Sequence, residues 1–127
     1  MITTPVNSTS APQAAGGYSQ AIEVTGARRL LFISGQIPEN RQGEIPPDFR
    51  AQAQRAWSNV FAQLQAAGMT AANLVKVTTF LASREYALAN REVRKEVLGA
   101  HAPALTVIIT GIFDERWLLE IEAIAAE

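Results

Sequence analysis

The chain contains five strand-like segments but only two segments that have the period of an amphipathic helix. Two helices can cover only one face of a sheet, so the second face must contact solvent or another subunit. The order of the elements predicts an α+β fold, ββαβαββ, with a mixed sheet and both helices on one face. Strands are predicted at residues 20–24, 30–36, 73–81, 104–110 and 117–125, and helices at 49–67 and 84–98.

The composition of the third predicted strand indicates how the second face is covered. Segment 73–81 carries Val77 and Leu81 on one face, and Leu74 and Phe80 on the other. Sheets that are buried on both faces have this composition, whereas half-solvated sheets alternate cleanly between apolar and polar residues. We therefore expect the second face to be buried against other copies of the chain.

The composition also excludes several classes of site and partner. With no cysteine and with His101 as its only histidine, the chain can form neither a thiolate site nor a multi-histidine metal site. Basic residues number 11 and acidic residues 12, so nucleic acid and anionic membranes are not expected partners. No segment is long enough to span a membrane, and no signal peptide is evident, which predicts a cytoplasmic protein. Residues 1–17 are predicted to be irregular within a single domain of residues 1–127.

Two carboxylates interrupt an otherwise apolar strand. In LLEIEAIA (118–125), alternation places Glu120 and Glu122 on one face and only apolar side chains on the other. Burying an ionised carboxylate without a partner is costly. The pair therefore forms salt bridges, faces solvent or serves a function, and the pattern alone leaves these alternatives open.

Other polar residues interrupt apolar surfaces in three places. Ser34 and Gly35 follow the apolar run LLFI, which fits either a ligand site or a simple strand end. Asn90 falls on the inward face of the second helix, where it could contact a ligand or hold a loop. Tyr18 follows two glycines, which let the backbone approach a ligand or another chain. Segment 91–96, REVRKE, is predicted to be a solvated helix face.

Six segments occur in the order of a known family: APQAAGGYSQAI, LLFISGQIP, AAGMTAANLVKVTTFL, AN in the second helix, HAPAL and LEIEAIA. On these motifs the chain resembles the RidA/YjgF family of reactive intermediate deaminases, from about residue 11 to 126. The resemblance implies a chorismate-mutase-like fold and a homotrimer whose sheets face inward, with small-molecule clefts between subunits. It also implies hydrolysis of an enamine or imine to a carbonyl compound and ammonia, without a cofactor or metal.

The resemblance implies roles for individual residues. Glu120 matches the glutamate that positions and activates the attacking water, whereas Glu122 matches no catalytic position and is assigned to structure. An imine carbon needs an oriented water and a group that takes its proton, which a carboxylate can do. Positions that line or support the cleft are matched by Tyr18, Ser34, Gly35 and Asn90.

One position departs from the family pattern. Where deaminating members read PAR, this chain reads PAL, so Leu105 replaces the arginine that pairs with the substrate carboxylate. Leu105 and Val107 share a strand face and are predicted to form an apolar wall of the cleft. Two functions remain open: a deaminase whose substrate differs from simple 2-imino acids, and a trimeric ligand-binding protein without catalysis. Candidates for a displaced cation are Arg84, Arg91, Arg94 and Arg116.

A third function, the ribonuclease activity ascribed to some relatives, is poorly supported. The chain has one histidine, a near-neutral charge and no interleaving of aromatic with basic residues.

Overall fold

A computed structural model describes residues 1–127 and contains two sheets and two α-helices. A four-stranded sheet has the order β3-β6-β4-β5, and β1 pairs with β2 in a separate antiparallel ribbon. The larger sheet is mixed, because β4 and β5 are parallel while β6 is antiparallel to both of its neighbours. This confirms the predicted α+β class. The elements are β1 (Ile2–Val6), β2 (Ala21–Thr25), β3 (Leu30–Gln36), α1 (Phe49–Ala66), β4 (Leu74–Leu81), α2 (Ala87–Leu98), β5 (Ala104–Ile109) and β6 (Leu119–Ala126).

Helix α1 begins at a capping side chain, whereas α2 follows a capped 3₁₀ turn and has no side-chain cap of its own. The Asp48 carboxylate accepts a hydrogen bond from the backbone N–H of Ala51 at 2.8 Å and caps α1. The Ser83 hydroxyl accepts one from Glu85, but the chain first makes a 3₁₀ turn, Arg84–Tyr86, before α2 starts. Neither helix combines the length and the apolar composition that crossing a membrane requires.

The core lies between the two helices and one face of the four-stranded sheet, here called the inner face. In α1 the buried stripe includes Trp57, Val60 and Leu64, and α2 contributes Val93. Burial of each such side chain stabilises the fold by about 1.5–3 kcal/mol. The sheet contributes Ile33, Val77, Leu81, Leu119, Ile121, Ala123 and Ala125 to the same cluster.

No element of the chain covers the opposite face of the sheet, here called the open face. Phe32 and Leu30 are 71% and 57% exposed there, and Ile108 is 42% exposed. Large apolar side chains grouped in this way mark an interaction surface more often than a solvated one. The four-stranded sheet therefore has the uncovered second face that the sequence predicts.

The prediction that residues 1–17 are irregular is wrong for Ile2–Val6, which form β1. The sequence ITTPV is rich in β-branched residues, and Pro5 is tolerated because β1 is an edge strand. All five residues are exposed, so no apolar alternation reveals the strand. The element order is therefore βββαβαββ.

The first two predicted strands, at residues 20–24 and 30–36, do not pair with each other. β2 pairs with β1, whereas β3 pairs with β6. After β2, the backbone N–H groups of Arg28 and Arg29 donate to the carbonyl of Glu127 at 2.7 and 3.0 Å. These bonds start the pairing of β3 with β6 and separate β3 from β2.

The predicted orientation of Leu74 is also wrong. The register between β4 and β6 shifts between Leu74 and Lys76, so the alternation of side chains is reset at this bulge. Leu74 is consequently 1% exposed and packs in the core with Val77. The open face receives Phe80 but not Leu74, and is less apolar along β4 than expected.

Candidate functional site

All the predicted site residues except Ser34 are divided between two clefts. One, of about 400 Å³ and here called the α2 cleft, contains Tyr18, Asn90, Leu105 and Val107. The other, of about 420 Å³ and here called the Glu120 cleft, is lined by Gly35, Phe80, Phe113, Glu120, Glu122 and neighbouring residues.

The two clefts lie on opposite faces of the four-stranded sheet. Leu105 pairs with Val77, which is in the core, so Leu105 is on the inner face. Glu120 pairs with Phe80 on the open face, and β4 lies between the strands that carry Leu105 and Glu120. Within one chain, Glu120 therefore cannot reach a ligand held in the α2 cleft.

Glu120 has the environment of a proton acceptor. Its half-buried carboxylate makes no hydrogen bond and no ion pair. Burial, and secondarily the negative charge of Glu122, raise the pKa of Glu120 above its ordinary value. A raised pKa brings a carboxylate nearer to the value at which it both takes and returns a proton.

Gly35 is required by the position of Glu120. A Cβ atom at residue 35 would lie 2.7 Å from Glu120 Cδ and closer still to Oε2. Real Cβ atoms do not approach other atoms so closely, so the carboxylate occupies space that only glycine leaves free. This close packing, rather than a turn, explains glycine at the end of β3.

Glu122 is exposed and forms no salt bridge, so neither an ion pair nor the predicted structural role is supported by its contacts. Its effect on the site is electrostatic, through the pKa of Glu120. No group of three or more acidic or histidine side chains in the chain is arranged to hold a metal ion.

The α2 cleft presents two polar side chains without partners in the chain. Asn90 is only 3% exposed, and neither its side-chain amide nor the Tyr18 hydroxyl makes a hydrogen bond within the chain. The alternative that Asn90 holds a loop is therefore wrong. Tyr18 is positioned by Ser19, whose hydroxyl donates to the carbonyl of Ala102 at 2.7 Å.

Leu105 and Val107 line the same cleft and make part of its wall apolar. Arg91 and Arg94 line the same cleft, whereas the other two candidate cations, Arg84 and Arg116, do not.

The prediction that segment 91–96 is a solvated face is wrong for Arg94, which is only 5% exposed. Burial, and then the charge of Arg91, lower the pKa of Arg94. The sequence signal was available: Arg94 follows Asn90 by four residues and so shares its helix face.

Two further residues, the predicted site residue Ser34 and the single histidine, lie outside both clefts. Ser34 is exposed on β3, in a shallow depression beside Phe32, Gln36 and Gln63. His101 donates from Nε2 to the carbonyl of Leu74 at 2.7 Å, and so fastens the loop before β5 to the start of β4.

The chain is similar to known proteins over nearly its whole length. The model of the family described as Endoribonuclease L-PSP matches residues 8–127. A RutC family protein from Haemophilus influenzae is 38% identical over 130 residues, which cover 98% of each chain. The 2-iminobutanoate/2-iminopropanoate deaminase of Escherichia coli K12 is 33% identical over 120 residues, which cover 91% of each chain. The crystal structure of YyfB, a Rid family protein from Yersinia pestis, is 28% identical and has a TM-score of 0.86 over 100% of both chains.

Proposed function

Because this chain belongs to the RidA/YjgF family, we propose that it hydrolyses an enamine- or imine-type metabolite to a carbonyl compound and ammonia. The observation that carries the proposal is Glu120, an unpartnered carboxylate of raised pKa in an open cleft. The reaction class comes from the relative named 2-iminobutanoate/2-iminopropanoate deaminase. Groups with a perturbed pKa in a cleft are frequent at catalytic sites.

The proposed reaction needs one group that both accepts and returns a proton. Glu120 takes a proton from water as the water oxygen bonds to the imine carbon, and gives that proton to the nitrogen. The resulting carbinolamine then transfers its hydroxyl proton to the amine, through the same carboxylate. The C–N bond breaks, ammonia leaves and a carbonyl remains. General acid–base catalysis of this kind contributes about 10²- to 10⁴-fold to a rate.

We propose further that the active site forms between subunits of a homotrimer. A carboxylate on the open face and polar groups in the α2 cleft can act on one ligand only if the two come from different chains. Burial of the apolar open face would drive the association. Tyr18 and Asn90 of one subunit would then hold the ligand while Glu120 of its neighbour handles the water.

The trimer is expected to depend on Phe32. Light scattering of the unmodified protein should give the mass of three chains. Phe32→Glu places a charge on β3, at one edge of the open face, and should yield monomers, because burying an unpaired carboxylate is costly. Ser58→Glu, which adds the same charge to an exposed position on α1, is the control and should remain trimeric. A stable monomer of the unmodified protein would contradict both the trimer and the intersubunit site.

The activity is expected to be measurable as accelerated release of ammonia from freshly generated imines. An amino acid oxidase can produce the imines of alanine and leucine in the assay, and the rate is compared with the uncatalysed rate. Leu105 and Val107 favour an apolar side chain, so the leucine-derived imine should be the better substrate. Each buried methylene contributes about 0.8 kcal/mol, or nearly fourfold in kcat/KM.

A second candidate function rests on Leu105. The arginine that the family pattern places there is missing, which favours a ligand-binding protein without catalysis. Failure to accelerate hydrolysis of any imine, by a folded trimer, would support this second function over the first.

A further inference from the structure

Arg94 is a buried cation without a counter-ion. Its side chain lines the α2 cleft but is only 5% exposed, and no carboxylate of the chain lies within salt-bridge distance. One hydrogen bond is formed, from Nη2 to the carbonyl of Gly16 at 3.2 Å, while the buried Nε has no partner. A buried unpaired charge is destabilising, so its presence calls for a compensating group.

Arg91 brings a second positive charge to the same cleft. It lies one helical turn before Arg94, and its only hydrogen bond runs from Nη2 to the carbonyl of Ala15 at 3.0 Å. Like charges on neighbouring turns repel each other. By contrast, Arg50 on α1 pairs with both Glu92 and Glu96 of α2, so carboxylates are available nearby but face away from the cleft.

From these observations we infer that the α2 cleft binds the carboxylate of an organic acid with an apolar side chain, held by Arg94 with Arg91 beside it. A planar guanidinium matches a carboxylate in geometry as well as in charge. The apolar side chain lies against Leu105 and Val107, which line the same cleft. The inference rests on the proposed function in taking this acid as the substrate, and it assigns recognition of the substrate's carboxylate to Arg94, since Leu105 supplies no cation to the same cleft.

A purely structural role for the two arginines is the competing explanation. Both hold the segment that leads to Tyr18, and a Cβ at Gly16 would collide with the Arg91 guanidinium. A structural role requires only these bonds to carbonyls. It does not require a binding site that distinguishes an acid from a neutral molecule of the same shape.

The test is a titration with 4-methyl-2-oxopentanoate and with 4-methyl-2-pentanone, which lacks the carboxylate, followed by NMR. The unmodified protein should bind the acid and not the ketone. Arg94→Gln should weaken binding of the acid roughly 30-fold or more, since it breaks a desolvated ion pair. Lys95→Gln removes a neighbouring exposed cation outside the cleft and should leave the affinity unchanged.

A double variant separates loss of the charge from loss of the fold. Leu105→Arg in the Arg94→Gln background returns a guanidinium to the same cleft and should restore binding of the acid. If Arg94→Gln does not fold, Arg94→Lys keeps the charge and should bind the acid more weakly than the unmodified protein. Equal binding of acid and ketone, or an Arg94→Gln variant that binds the acid normally, would overturn the inference.

Failure of this inference can be told apart from failure of the proposed function. Binding of the acid through Arg94 without any acceleration of imine hydrolysis would support the inference and remove the deaminase activity. Imine hydrolysis whose KM is unchanged by Arg94→Gln would overturn the inference and leave the activity in place.

Discussion

Replacing Glu120 with glutamine should lower kcat for ammonia release by about 10²- to 10⁴-fold, the usual contribution of a general base. The amide has the shape of the carboxylate but cannot accept a proton from water. The proposed trimer should persist, because Glu120 makes no hydrogen bond or ion pair within the chain. The measurement is the initial rate of ammonia release together with light scattering on the same sample.

The thermal stability of the variant gives a second readout. The pKa of Glu120 is raised, so the folded state holds a proton that the unfolded state releases more easily. Stability is therefore lost as pH rises from the ordinary glutamate pKa through the raised one. The glutamine variant does not lose stability in this way as pH rises, so it should melt at the same or a higher temperature at neutral pH. A side chain kept only for stability would give the opposite result.

Glu122→Gln is the matched control for this experiment. Removing the Glu122 charge should change kcat only slightly, but should move the acid limb of the pH–rate profile to lower pH. The direction follows because the negative charge of Glu122 raises the pKa of Glu120. If the Glu122 variant lost more activity than the Glu120 variant, the roles of the two carboxylates would be reversed.

Gly35→Ala should lower kcat by about 10²-fold, because a displacement of the catalytic group by about 1 Å has an effect of this size. The added Cβ would occupy the space of the Glu120 carboxylate. Only a flexible side chain has to move, so the melting temperature should change little.

Gly111→Ala provides the control for the Gly35 variant. Gly111 lines the same cleft, but a Cβ there would have no atom within 4 Å. This variant should keep nearly full activity. Equal activity of both variants would show that the close approach of Gly35 to Glu120 has no catalytic importance.

The elements with strong local signals could be predicted from the sequence. Helix α1 has an N-cap at Asp48 and a regular apolar stripe, and its predicted bounds differ from the observed ones by one residue. The alternation in β6 correctly separates Glu120 from the apolar core positions. Periodicity succeeds in these segments because burial on one face determines both the sequence pattern and the structure.

The features that escaped prediction depend on contacts between distant segments. β1 is exposed along its whole length, so its pairing with β2 leaves no apolar pattern. The bulge at the start of β4 changes the direction of Leu74 without a local signal. The burial of Arg94 results from packing against residues 15–18, more than seventy positions away in the sequence. In each case, contacts with distant residues determine the structure, and local sequence preferences do not reveal them.

The position of β6 in the sheet has a consequence for how the chain folds. β6 is the last strand in sequence, yet it lies between β3 and β4, which are not bonded to each other. Ile33 therefore pairs with the distant residue Ala123. The edges of β3 and β4 that bond to β6 remain without hydrogen bonds until β6 is added. Pairings between such distant residues slow folding and expose strand edges to aggregation in the meantime. The strand that carries Glu120 is therefore the one that completes the sheet, and the Glu120 cleft cannot form before β6 has paired with β3 and β4.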